Sequence, residues 1–202
     1  MRRKSAPPHS TANRRSRGES WEDCIIGVSD HGGWAVLVTV ACDGTLLDRR
    51  RVELVDEELP KLPHHHESQR LPLDEAVVLV ERVRLSAEKH ARLALEAVAM
   101  AVPPVLGIAL RHCPQLPPTI AERIEDYRAQ NVADWVMYRE ALASAAEARG
   151  WPVHWYDAKK VLGVDTRFLD VRKAVGPPWN KDHKLAMAAA LVAAKAVGSP
   201  GS

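Results

Sequence analysis

Two aspartates in this chain are each followed directly by a histidine. Asp30-His31 comes at the end of an apolar run, and Asp182-His183 stands at the start of an Ala-rich segment. Clustered carboxylates can bind Mg²⁺ or Mn²⁺, which activates water and stabilises a leaving oxygen. A neutral imidazole can act as general base or metal ligand. Structural roles are the alternative, Asp30 as a turn residue and Asp182 as a helix cap.

A third carboxylate and a basic group would complete such a site. The first turn of the first predicted helix offers Asp74 or Glu75, because that helix runs antiparallel to the first strand. We therefore predict that Asp30 and Asp182 bind the metal ion. The predicted catalytic residues are Asp30, Glu75, Asp182 and His183.

The second predicted helix carries a stripe of mixed chemistry. Four residues at helical spacing fall on it together with Leu142, and they are Arg128, Asn131, Trp135 and Tyr138. Guanidinium, amide and aromatic groups on one face indicate a recognition surface that stacks bases or grips a partner. A helix–helix seam, or a homodimer seam through this helix, is the alternative.

The elements that must position these residues follow from the apolar pattern. Three antiparallel strands are predicted first, because an Asp-Gly hairpin signal follows the β-branched second run. A capping box at Thr119-Ile-Ala-Glu122 opens the long second helix, which Gly150 ends. The predicted order is β-β-β-α-β-α-β-α, with strands at 24–29, 34–41, 46–55, 105–110 and 151–156 and helices at 74–100, 119–150 and 182–197. Residues 56–72 are predicted as a loop and 157–179 as a linker with one helical turn.

Charge is distributed unevenly along the chain. Residues 1–20 hold six of the 28 basic side chains and one of the 26 acidic ones, which leaves 22 basic against 25 acidic residues in the remainder. We predict a disordered basic tail over 1–20, a single domain over 21–198 and a short C-terminal tail over 199–202. A uniformly basic nucleic-acid-binding surface is excluded.

The cysteines and the apolar runs bear on location. Cys24, Cys42 and Cys113 form no C-x-x-C pair and are odd in number, which favours a reducing cytoplasm. No apolar run is long enough for a membrane span or a signal peptide core. The triplet at 64–66 (HHH) could scavenge Zn²⁺ with His112 or Cys113, although no spaced ligand pattern supports a structural zinc.

The order of elements and two motifs resemble the ribonuclease H-like superfamily, nearest to its Holliday-junction resolvase branch. IIGVSDHG at 25–32 is similar to that branch's first strand, and KDHKLAMA at 181–188 is similar to its last-helix motif. The resemblance covers about residues 22–197. It implies a mixed five-stranded sheet with helices on both faces, a Mg²⁺- or Mn²⁺-dependent nuclease or resolvase-like activity on nucleic-acid phosphodiesters, and nucleic acid as the partner.

Two departures from the family pattern support a different function. Ser29 occupies the slot where the family has its first aspartate, and a one-residue shift turns Asp30 to the other face unless a bulge restores it. The family also tends to have an acid near the end of the fourth strand, where this chain has Leu110-Arg111-His112-Cys113. The alternative is a catalytically degenerate domain that acts in binding or assembly. A third class, a nucleotide-phosphate binder, would use the Gly-Gly turn after His31.

Overall fold

A computed structural model describes residues 23–162 and 176–198. Its five strands form one sheet in the order β3-β2-β1-β4-β5, and they are β1 (Cys24–His31), β2 (Trp34–Ala41), β3 (Leu46–Glu53), β4 (Val105–Arg111) and β5 (Val153–Tyr156). The first three strands pair antiparallel, whereas β4 is parallel to β1 and β5 is parallel to β4. This is the mixed five-stranded sheet that the sequence predicts.

Helices cover both faces of the sheet, as predicted. They are α1 (Leu73–Ala99), α2 (Ile120–Glu125), α3 (Tyr127–Glu147), α4 (Ala158–Val161) and α5 (Lys181–Gly198). Alternate residues of β1 pack into two separate cores, because successive side chains of a strand point to opposite faces. Ile26 and Val28 pack with α1 and α3, whereas Ile25 packs with α5.

The strand β1 and the helix α5 approach each other closely at a glycine. A Cβ atom on Gly27 would lie 1.8 Å from the carbonyl oxygen of Ala186. Ala186 and Ala190 of α5 are fully buried. Small residues on both elements therefore allow the helix backbone to reach the sheet.

The predicted second helix is two helices. The Thr119-Glu122 capping box is present at the start of α2. Asp126 then has an extended backbone, and its side chain accepts hydrogen bonds from the backbone N–H groups of Arg128 and Ala129. Asp126 therefore ends α2 and caps α3, an N-cap role that a periodicity argument does not detect.

The predicted loop at 56–72 contains helical turns. Pro63–Glu67 forms a π-helical turn and Ser68–Arg70 a short 3₁₀ turn. These turns are anchored on α3, because the carboxylate of Asp134 accepts hydrogen bonds from the backbone N–H groups of His64 and His65. The predicted helical turn after β5 is α4. The two terminal tails and most of the predicted linker lie outside the described residues. None of the helices within 23–162 and 176–198 has the length and apolar character needed to cross a membrane.

Candidate phosphate-binding cavity

A cavity of about 550 Å³ lies where β1 and β4 end and where α3 and α5 meet the edge of the sheet. Its walls contain three cationic side chains, two carboxylates and one tryptophan. The lining residues are Ser29, Asp30, His31, Arg111, His112, Pro114, Val132, Trp135, Val136, Arg139, Lys181, Asp182 and Leu185. Both predicted metal ligands therefore border the same space.

Asp30 forms a buried ion pair with Arg139 of α3. The Nη2 and Nε atoms of Arg139 donate to Oδ2 of Asp30 at 2.7 and 3.0 Å. Only 3% of Asp30 and 4% of Arg139 is exposed. Burial acts to lower the pKa of the Arg139 guanidinium, but its hydrogen bonds and charge interaction with Asp30 outweigh burial, so the pKa is raised. Arg139 is thus a permanent cation beside this carboxylate.

The same guanidinium also reaches the end of β4. Its Nη1 atom donates to the carbonyl oxygen of His112 at 2.9 Å. Arg139 therefore connects α3 to the ends of β1 and β4. The second carboxylate oxygen of Asp30, Oδ1, is buried and has no hydrogen-bond partner among the described residues.

Asp182 lies on the opposite face of β1. Its Oδ1 atom is 2.9 Å from Nε2 of His31 and accepts a hydrogen bond from Oγ of Ser29 at 3.2 Å. Asn180, rather than Asp182, caps α5, because its Oδ1 accepts from the backbone N–H groups of Asp182 and His183. The Asp182 carboxylate is thereby available to the cavity, with 22% of its side chain exposed.

The one-residue displacement of Asp30 accounts for this separation. The register shift between β1 and β4 lies between Cys24 and Ile25, and β1 pairs with β2 without interruption from Cys24 to His31. No bulge therefore restores Asp30 to the face of Ser29. Asp30 points with Ile26 and Val28 towards α3, whereas Ser29 and His31 point towards Asp182.

This donor set does not fit the Mg²⁺ or Mn²⁺ site that was predicted from Asp30 and Asp182. A divalent cation of this kind requires several oxygen ligands directed at one point, but the two carboxylates are held on opposite faces of β1 and the Asp30 carboxylate is neutralised by Arg139. Within the described residues, no three His, Cys, Asp or Glu side chains are grouped closely enough to hold a metal ion.

Two predicted catalytic residues lie elsewhere. Glu75 is exposed in the first turn of α1 and does not border the cavity. His183 is buried beside Trp179, with its Nδ1 atom 2.7 Å from Oδ1 of Asn180, and it does not border the cavity either. Burial, followed by the charge of Arg49, lowers the pKa of His183. The predicted catalytic set is therefore corrected, because Glu75 and His183 do not border the cavity that contains Asp30 and Asp182.

The predicted stripe on α3 does not form one surface. Tyr138 is fully buried, and its hydroxyl donates to the carbonyl oxygen of Lys61 at 2.9 Å. Arg128 is exposed, and Asn131 donates to the carbonyl oxygen of Tyr127. Trp135 borders the cavity. The prediction of Tyr138 as a binding residue is wrong, since this part of the stripe is a seam within the chain. The same burial against the chain's own elements leaves little of α3 for the predicted homodimer seam.

Sequence reasoning missed the two arginines that set the charge of the cavity. Arg111 ends β4, at the position where an acid was expected by resemblance, and its buried Nε atom has no hydrogen-bond partner among the described residues. Arg139 lies on the face of α3 that also carries Val132, Trp135 and Val136, at i, i+3, i+4 and i+7 spacing. This helical spacing was the feature of the sequence that could have identified Arg139 as a residue of the cavity.

The histidine triplet does not belong to the cavity. His64 is 1% exposed, and its Nδ1 atom lies 2.8 Å from Oδ1 of Asp134. His112, by contrast, borders the cavity. His64 therefore anchors the 56–72 segment to α3, and it does not join His112 or Cys113 in a zinc site.

Comparisons with known proteins give structural matches alone. No protein-family model matches the chain, and no curated protein matches its sequence. The structure of Thermus thermophilus RuvC in complex with a Holliday junction substrate is 18% identical, with 87% of this chain and 96% of that chain covered and a TM-score of 0.48. A second Thermus thermophilus RuvC structure is 19% identical, with 86% and 95% covered and a TM-score of 0.45.

Proposed function

We propose that this chain is a nucleic-acid-binding domain of ribonuclease H-like fold that contacts phosphodiesters through fixed cations instead of a metal ion. The observation that carries the proposal is the Arg139–Asp30 ion pair. The pair neutralises a carboxylate that a metal-dependent mechanism would need to be free. The pair thus supports the alternative derived from the sequence, a catalytically degenerate domain that acts in binding.

The remaining charges of the cavity favour an anionic ligand. Arg111 and Lys181 border the cavity without an ion pair among the described residues, whereas Asp30 is neutralised by Arg139. Asp182 is the remaining carboxylate, so the three cationic side chains of the cavity exceed its carboxylates by one. The side chain of Arg111 borders the cavity, although its Nε atom is itself enclosed by protein. A phosphate oxygen is the acceptor that guanidinium groups bind best.

The proposal is tested by separating the cavity from the basic tail, because a tail with six basic residues can bind polyanions by itself. Affinity for a labelled oligonucleotide is measured by fluorescence anisotropy at low salt for the full chain and for Arg111→Gln and Lys181→Gln. We expect each substitution to weaken binding by at least about tenfold, because a hydrogen bond to a charged group contributes about 1.5–3 kcal/mol and about 1.4 kcal/mol is tenfold in affinity. The matched control is Arg82→Gln, on the exposed side of α1.

Equal affinity for all four proteins would contradict the proposal, since binding would then arise in the tail. A further variant with Arg14 and Arg15 replaced by Gln measures the tail contribution directly. We expect these two tail substitutions to reduce the affinity by the same factor in the wild type and in Arg111→Gln, because the tail and the cavity contribute independently.

A metal-dependent nuclease is the second candidate function. The observation that favours it is that Asp30 and Asp182 border one cavity. It requires the Asp30 carboxylate to leave Arg139. Incubation of branched and hybrid nucleic acids with Mg²⁺ or Mn²⁺ decides this point. Cleavage that disappears in both Asp30→Asn and Asp182→Asn would establish the second candidate in place of the first.

A further inference from the structure

We infer that the strand bound in this cavity is unpaired, and that one of its bases stacks on Trp135. The inference rests on the proposed function and adds the class of nucleic acid that the cavity accepts. Single strands present the flat faces of their bases, whereas a double helix presents its backbone and the edges of its base pairs.

Trp135 is the aromatic side chain that borders the cavity. It is 36% exposed, and Val132 and Val136 stand beside it on the same face of α3. Arg139, one turn further along, is held in its ion pair with Asp30. The helix therefore presents an apolar wall with an indole ring near solvent, and a large exposed aromatic surface in a concave site is suited to a flat ligand.

The cavity also supplies donors for the backbone of the same strand. Arg111 at the end of β4 and Lys181 at the start of α5 border the cavity together with Trp135. A site with an aromatic platform and neighbouring cations is the arrangement that binds single strands, because the ring takes the base and the cations take the phosphate.

The size of the cavity favours a single nucleotide unit over a duplex. Its volume of about 550 Å³ lies within the range of small-ligand pockets, roughly 300–1,000 Å³. In a duplex both faces of each base are covered by its neighbours, so the Trp135 ring could stack only on a base that had left the helix. Unstacking costs free energy, and an unpaired strand avoids that cost.

Trp34 does not offer a second platform at this edge of the sheet. The imidazole of His31 stacks on its ring with centroids 3.9 Å apart, and the Arg51 guanidinium lies 4.0 Å from the ring centroid. Two groups at such short distances must occupy opposite faces of the ring. Trp34 is therefore already sandwiched, and Trp135 is the ring that a base can reach.

The test compares Trp135→Ala and Trp135→Phe with the wild-type full chain. Affinities are measured by anisotropy for a single strand and for a duplex of the same sequence. For Trp135→Ala we expect single-strand affinity to fall at least about fivefold, the lower bound for loss of one base–aromatic stack, while duplex affinity stays unchanged. Trp135→Phe should retain most of the affinity, since a phenyl ring still stacks. The matched control is Trp155→Ala, which removes a 42% exposed tryptophan that lies outside this cavity.

Quenching of wild-type tryptophan fluorescence by the single strand, absent in Trp135→Phe, provides a second readout that does not depend on the Ala variant folding. Equal losses for single strand and duplex, or no loss for Trp135→Ala, would overturn the inference. If Arg111→Gln still weakens binding in that case, the proposed function stands and only the inference about Trp135 fails. If neither Arg111→Gln nor Trp135→Ala alters binding, both fail.

Discussion

Arg139 donates two hydrogen bonds to one oxygen of Asp30, on the face of β1 opposite to Asp182. Through this pair, the position of Asp30 in β1 affects the charge of the cavity. Asp30 stands one residue later in β1 than the aspartate of the family pattern, so its side chain points towards α3. There it meets the guanidinium of Arg139. The edge of the sheet thereby acquires a neutralised carboxylate, and Arg111 and Lys181 remain as cations of the cavity without an ion pair among the described residues.

The Asp30–Arg139 pair predicts strongly non-additive substitutions. Arg139→Met should cost about 3–5 kcal/mol in the free energy of unfolding, because it leaves a buried carboxylate unpaired, and Asp30→Leu should cost a similar amount. The double variant should be much less destabilised than the two single losses added together. Urea denaturation measures all three. Lys61→Gln, which breaks an exposed ion pair with Glu53, is the control and should change stability by less than about 1 kcal/mol. Additive losses would show that the pair does not interact.

The anchor of the 56–72 segment predicts a graded pair of substitutions. Asp134→Ala removes the acceptor for two backbone N–H groups and for the His64 ring, so it should cost about 2–4 kcal/mol. Tyr138→Phe removes one hydrogen bond to the Lys61 carbonyl and should cost about 1 kcal/mol. Chemical denaturation compares the two, and an equal effect of both variants would argue against Asp134 as the main anchor.

Acid stability should depend on Asp56. Hydrogen bonds from His90, then from Lys89 and Ser86, lower the pKa of the Asp56 carboxyl below its usual value of 3.8. A lowered pKa in the folded state means that the stabilisation is complete above that value and is lost as the pH falls below it. Melting temperature against pH should therefore fall less steeply below about pH 4 in Asp56→Asn than in the wild type. Glu57→Gln, an exposed neighbour, should retain the wild-type slope. An unchanged slope in Asp56→Asn would refute the role of these hydrogen bonds.

The contact of β1 with α5 predicts a sharp difference between two glycines. Gly27→Ala places a Cβ atom 1.8 Å from the Ala186 carbonyl oxygen, so it should cost at least about 3 kcal/mol or prevent folding. In Gly32→Ala the new Cβ meets the end of the flexible Leu62 side chain at 2.5 Å, which can rotate away. Thermal melts of the two variants provide the comparison. Similar stability of both would mean that α5 lies farther from the sheet.

The regular elements were predictable because local pattern determines them. The span of β2 was predicted to the residue, from a β-branched run between two turn signals. The strand β1 extends to His31, two residues beyond the prediction, because Asp30 and His31 pair with Ala35 and Trp34 in the hairpin. The break at Asp126 depends on a side-chain cap, which apolar spacing does not report.

The candidate site was predictable only in part, for a different reason. Asp30 and Asp182 both border one cavity, because the ends of the strands and the start of α5 meet there. The face on which Asp30 lies follows from alternation along the strand. Its partner does not, because Arg139 is 109 residues away in sequence and no periodicity links the two. The role of Asp30 therefore depends on how α3 packs against β1, which the sequence pattern does not report.

The dependence of oligonucleotide binding on metal tests the central claim most directly. Affinity for a labelled single strand is measured for the wild type and Arg111→Gln, first in EDTA and then in Mg²⁺ at matched ionic strength. The proposed cation-based cavity predicts that the wild type binds equally well in both solutions, and that Arg111→Gln is weaker in both. Binding that appears only with Mg²⁺ and is lost in Asp30→Asn would contradict the account.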